Sequence, residues 1–136
     1  MPILEASRRP GAPEAYQAAL RRREQITAAA VDYFRAFRLD ALAFPPVLMP
    51  AFPQGDPSAV EVAGKKVDLF EAIGRNIALG SCVGLACLVL PAGMTADGLP
   101  VGLEFDAPPA GDRRLLALGL SLETSLGPIR PPRLAT

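Results

Sequence analysis

Between Pro13 and Phe37 the apolar residues Tyr16, Leu20, Ile26, Ala30, Phe34 and Phe37 recur at intervals of three, four and six, on or near one face of a helix. That spacing predicts one long helix with a buried stripe. Pro13-Glu14 suits its first turn, where the missing proline N–H costs nothing, and residues 1–12 read as a frayed lead-in. "LDALAF" then predicts a short buried strand stopped by Pro45-Pro46. The proline-rich "PPVLMPAFPQGDP" predicts an extended loop that wraps a partner or lines a cleft. "AVEVAGKKVDLF" alternates on both sides of Ala63-Gly64, the pattern of a small hairpin with Lys65 and Lys66 at its tip. "LFEAIGRNIAL" predicts a short helix with Gly80 near its end.

The stretch 85–90 has the length and branching of a strand buried on both faces, although its periodicity alone also allows a helix. A turn over 95–100 with Asp97-Gly98 at its apex leads into Val101, Leu103 and Phe105, which alternate with Gly102 and Glu104. This predicts a hairpin with one arm buried and the other half-buried. Asp112 is placed to cap a last helix whose stripe of Leu115, Leu116, Leu118, Leu122 and Leu126 ends at Gly127-Pro128. The order of elements gives an α/β chain with no internal repeat and no domain boundary.

Composition narrows the classes of function. Fourteen basic and fourteen acidic residues cancel, so no overall field draws nucleic acid or an anionic membrane. The Arg21-Arg22-Arg23 run would need aromatic or further basic partners to bind nucleic acid and reads as a solvated helix face. The expected partner is a protein or a small neutral molecule. The first residues lack the apolar core of a secretory signal, which points to a cytoplasmic chain. Twenty residues from Ile77 to Ala96 carry no charge, near the length of a membrane span, but glycines, Pro91 and the Asp97-Gly98 turn suit a soluble hairpin better.

The chain is short of reactive groups. It has no histidine, and its two cysteines, Cys82 and Cys87, are five apart, on opposite faces if both lie in a strand. They read as buried thiols, and with neither histidine nor a third cysteine a metal site would lack ligands. Lys65 and Lys66 at a polar turn are poor bases, because burial is the usual way to lower a lysine pKa. Ser7, Ser58, Ser81, Ser121 and Ser125 lie outside any GxSxG or SxxK motif, and the carboxylates read as scattered and solvated. No catalytic residue, cofactor or metal is expected from these residues.

One resemblance changes the picture. "GSCVGLACLVLPAGMTADGLPVGLEFDAPPAGDRRLLALGLSLE" is similar to the C-terminal region of the amidase signature family. The residues that carry it are Gly84, Pro91, Gly93, the run Gly98 to Leu103, Asp112, Leu115, Leu116 and Glu123. Upstream, "LDALAFPPVLMPAFP" looks like the family's strand and proline loop. "VEVAGKKVDLFEAIGRN" followed by "GS" looks most like its indoleacetamide and mandelamide hydrolase branch. The resemblance runs from about Tyr16 to Gly127, with Cys82 where the branch often has asparagine and Ala86 in place of proline.

The resemblance implies the C-terminal part of the amidase signature fold, a mixed β-sheet flanked by helices. It makes residues 1–136 the C-terminal portion of an amidase-like domain, with the N-terminal and central portion absent. The family's catalytic lysine and two serines lie in that absent portion, so this chain alone is expected to be inactive. The implied substrate is a small-molecule amide of the arylalkyl type, and the implied partner is the remaining N-terminal part of an amidase or a second copy. Ser81, Cys82, Val83 and Gly84 are the implied substrate-pocket residues, on a turn beginning at Gly80. The alternative is a stand-alone, non-catalytic binding protein that keeps the scaffold.

Overall fold

The computed structural model of the protein describes residues 13–55 and 58–128. The expected lead-in over 1–12 and Ser7 lie outside them. The elements are α1 (Pro13–Phe37), β1 (Leu42–Phe44), β2 (Ala59–Val62), β3 (Lys65–Asp68), α2 (Leu69–Gly74), α3 (Ala78–Val83), β4 (Ala86–Met94), β5 (Pro100–Ala107) and α4 (Asp112–Leu126). The α/β class follows the pattern of the sequence.

Two antiparallel sheets form among the described residues, one of three strands in the order β1-β5-β4 and one the β2-β3 hairpin. Ala63 and Gly64, at φ 50° and 75°, make the two-residue turn that the small hairpin requires. Lys65 and Lys66 are exposed beside it, as expected of solvated charges. In the larger hairpin Gly98 takes φ 81°, its N–H donating to the Thr95 carbonyl at 3.0 Å, while the Thr95 hydroxyl accepts from the Leu99 N–H at 3.0 Å. The ladder slips by one residue between Pro91 and Gly93, an extra residue on β4 that leaves Cys87 opposite Asp106 and Val89 opposite Glu104.

Burial in the hairpin differs from expectation. β4 is an edge strand of this sheet: Ala86 and Leu90 are buried, whereas Cys87 is exposed and Val89 is 52% exposed. β5 is the deeper arm, because β1 and β4 pair with its two sides and residues 104–107 are all buried. The predicted strand over 39–44 is shorter and only half-buried, since it too is an edge. One face of the sheet, with Ala86, Leu90, Phe105 and Ala107 at its centre, packs against Leu115 of α4, and Leu118 and Leu122 extend the contact. A second cluster joins Phe34 of α1, Val83 of α3 and Leu85, with Ala30, Leu39 and Leu42 against it. The expected stripes are thus partly covered: Tyr16 and Phe37 of α1 are 63% and 62% exposed, and Leu116 of α4 is 59% exposed.

The predicted helix over 69–79 is two helices. Asp68 caps α2 by accepting from the Phe70 and Glu71 N–H groups at 2.8 and 3.1 Å. The helix stops after Gly74, and the Asn76 amide donates to the Pro45 carbonyl at 2.7 Å, tying the turn to the proline loop. α3 then carries the chain through Val83 to Gly84, whose φ of 73° closes the helix in the left-handed region. Asp112 is the first residue of α4, not its cap; Gly111 holds that place with no side-chain bond. The uncharged stretch 77–96 divides between α3 and β4, and no helix among the described residues is long and apolar enough to cross a membrane.

Tyr33, Phe37, Phe70, Leu116 and Leu120 together leave much apolar surface uncovered. The isolated chain should bind the dye ANS and associate with rising concentration. The Leu116→Glu and Leu120→Glu double variant should lower both without shifting the urea midpoint, because neither side chain belongs to the packed face; a sharp, dye-silent monomer in sizing runs would contradict this.

Candidate functional site

The four expected pocket residues lie at the C-terminal end of α3 and its cap, not on a turn. Ser81, Cys82 and Gly84 are exposed and Val83 is 4% exposed. Val83 lines an open groove of about 530 Å³ against Leu20, Arg23, Glu24, Thr27 and Ala28 of α1, and the Thr27 hydroxyl donates to the Val83 carbonyl at 3.3 Å. The structure therefore gathers these residues on one short helix and turns only Val83 toward the interior. A more apolar cleft of about 430 Å³ lies between the proline loop at 45–51 and the stretch 100–103 of β5, with Ala92 at its side. The loop lines a cleft, one of the two roles its sequence allowed.

Charged chemistry sits elsewhere, on the sheet face opposite α4. Strand alternation puts Glu104 and Asp106 on one face of β5, while Leu103 and Phe105 take the other. Pairing brings Cys87 directly across from Asp106. The Cys87 sulfur and one carboxylate oxygen from each acid all lie within 4.8 Å of one another. Glu104 is 4% exposed and Asp106 is 1% exposed, and neither Glu104 Oε2 nor Asp106 Oδ1 has a hydrogen-bond partner among the described residues. A buried acceptor left unpaired costs on the order of 1–3 kcal/mol, more when charged.

Gly80 roofs this cluster. A β-carbon there would stand 2.8 Å from both Asp106 Oδ2 and Cys87 Sγ, closer than any side chain tolerates, so only glycine lets α3 approach. Burial raises the Glu104 carboxyl above its ordinary range, with the Asp106 charge and hydrogen bonding to Asp106 adding to it. The Cys87 thiol is pushed up to about 12, by burial first and then by hydrogen bonding to Asp106 and the charges of Asp106, Glu104 and Asp112.

These observations revise two expectations. Cys87 is exposed as a residue, but its sulfur lies beside two acids and donates to the Leu85 carbonyl at 3.5 Å, and the cysteines are both free. The carboxylates are not all solvated: Glu104 and Asp106 form a buried pair. Their two-residue spacing in a strand was a visible signal, whereas Cys87 joins them only through the hairpin register.

Two outcomes follow. Because Glu104 holds its proton more tightly when folded, its contribution to stability is full below the ordinary value of 4.5 and fades as pH rises through the raised value. Urea midpoints measured from acid to neutral pH should therefore fall for the native chain relative to Glu104→Gln; parallel curves would show that the shift is absent. Alkylation of Cys87 at neutral pH should run about fiftyfold slower in the folded chain than in urea, since the lost thiolate fraction outweighs the gain in nucleophilicity. Peptide mass spectrometry reads that rate separately from Cys82, and equal rates in both states would refute it.

Comparison with known proteins gives the fold a context. The chain is 42% identical over 104 residues to an indoleacetamide hydrolase of Agrobacterium vitis, an alignment covering 76% of this chain and 22% of that protein. It is 40% identical over 105 residues to an indoleacetamide hydrolase of Rhizobium radiobacter, covering 77% of this chain and 22% of the other. A crystal structure of an amidase superposes with a TM-score of 0.74 at 32% identity, over 86% of this chain and 26% of that one. The chain thus spans about a fifth to a quarter of the length of these relatives. Since the Amidase family model matches residues 2–116, the chain belongs to the amidase family.

Proposed function

We propose that this chain is the C-terminal portion of an amide hydrolase acting on an arylalkyl carboxamide of the indoleacetamide or mandelamide kind, releasing acid and ammonia. The observation that carries the reading is the similarity to indoleacetamide hydrolases, at 42% and 40% identity, over about 22% of their length. In that reading the catalytic lysine and serines belong to the portion that precedes this one in the family. Ser81, Cys82, Val83 and Gly84 then border the substrate path of the complete enzyme, and the chain's partner is that preceding portion. The cell compartment is the cytoplasm.

The side chains here support a scaffold role. Amide hydrolysis needs an activated nucleophile and oriented donors for the oxyanion. Lys65 and Lys66, the only lysines, are exposed on the small hairpin. In α4 the Ser121 and Ser125 hydroxyls donate back to the carbonyls of Ala117 and Ser121 and not, among the described residues, to a basic side chain.

Purified alone, the chain should release no ammonia from indole-3-acetamide or mandelamide above the rate in buffer. Co-expression with a family N-terminal segment carrying the lysine and both serines should give hydrolysis, because the two parts would share one sheet and one core. Ammonia release by the isolated chain that Ser81→Ala abolishes would overturn the reading. Failure of the co-expressed, co-purifying pair to turn over either amide would favour the non-catalytic binding role instead.

A further inference from the structure

The cluster of Cys87, Glu104 and Asp106 has no place in the amide chemistry proposed above, and it poses a charge problem of its own. Three acidic groups converge under Gly80, two of their oxygens are buried without partners, and no cationic side chain among the described residues pairs with either carboxylate. Exposed acids turn to solvent for relief. Here Asp106 is 1% exposed, so relief must come from a proton or a bound cation.

We propose that Cys87, Glu104 and Asp106 form a binding site for a borderline divalent cation of the zinc class. The donor set selects that class: a thiolate favours zinc over magnesium or calcium, and two carboxylates complete a mixed S,O set that zinc accepts. Geometry agrees. Ligand atoms of a tetrahedral zinc stand about 3.3–3.6 Å apart, given bond lengths of about 2.0–2.3 Å. The three atoms here lie within 4.8 Å of one another, so closing onto an ion takes shifts of about an ångström or less. The missing β-carbon at Gly80 keeps open the space above Asp106 Oδ2 and Cys87 Sγ. A cation there would offset the charge of the two buried carboxylates and take the thiol as thiolate, releasing its proton to solvent; binding therefore tightens as pH rises.

The site is structural in this proposal. It staples β4 to β5 across the ladder and holds both under α3, so bound metal should raise the thermal midpoint. The test uses the full chain, with zinc measured by equilibrium dialysis and cobalt(II) as a spectroscopic substitute. We expect one zinc per chain, a higher melting temperature with zinc, and a thiolate-to-cobalt charge-transfer band. Cys82→Ser should keep the band and Cys87→Ser should lose it. Glu104→Gln with Asp106→Asn should weaken zinc binding by about tenfold or more.

Gly80→Ala blocks the site without removing a ligand and should weaken binding as well. If that variant fails to fold, the band and its dependence on Cys87 still decide the matter. Absence of stoichiometric zinc on the folded native chain, or a band that survives Cys87→Ser, would overturn the proposal and leave the acids neutralised by protons.

Discussion

The second half of strand β5 (Pro100–Ala107), residues 104–107, is constrained on every side, and the fold depends on it. β1 and β4 take its two edges, while the helix α4 covers one face and Gly80 of α3 comes down on the other. A strand so enclosed must satisfy each side chain within the structure. Phe105 and Ala107 do so by burying apolar surface against Leu115, at about 25 cal/mol per Å² removed from water. Glu104 and Asp106 have no such outlet, and the enclosure that stabilises one face of β5 isolates the charges of the other.

The local signals in the sequence carried through where chemistry acts within a few residues. Ala63-Gly64 and Asp97-Gly98 specify turns because Ala63, Gly64 and Gly98 reach positive φ, and both hairpins stand where those pairs put them. The long periodic runs gave α1 and α4 with their limits close to those observed, ending at Phe37 and Leu126. What failed was decided by distant parts of the chain. The break after Gly74 depends on Asn76 reaching Pro45, thirty-one residues away in sequence. The exchange of burial between β4 and β5 depends on β1 joining the sheet beside β5, which no short window reveals.

The uncovered apolar surface is a consequence of the same layering. In α4 one row of leucines packs on the sheet, but Leu116 and Leu120 point away with nothing described over them. In α1 a single buried residue, Phe34, anchors twenty-five residues of helix. Amphipathic patterning wide enough for two covered sides, found with only one side covered, is what a part of a larger core looks like. That agrees with a chain that matches about a fifth of the length of its hydrolase relatives.

The candidate site rests on one extra residue. The register slip between Pro91 and Gly93 adds a position to β4, and everything beyond it on that strand moves by one. Without the slip Cys87 would stand opposite Ala107, and the period-two rule would send its thiol to the α4 face, among the leucines. With it, Cys87 faces Asp106 and Val89 faces Glu104. The small turn chemistry of the hairpin thus fixes the loop, but the bulge at Ala92 determines which side of the sheet receives the thiol. A cysteine among leucines would have been an inert core residue. Beside two buried acids under a glycine, it acquires a strongly raised pKa and a geometry that a cation could use.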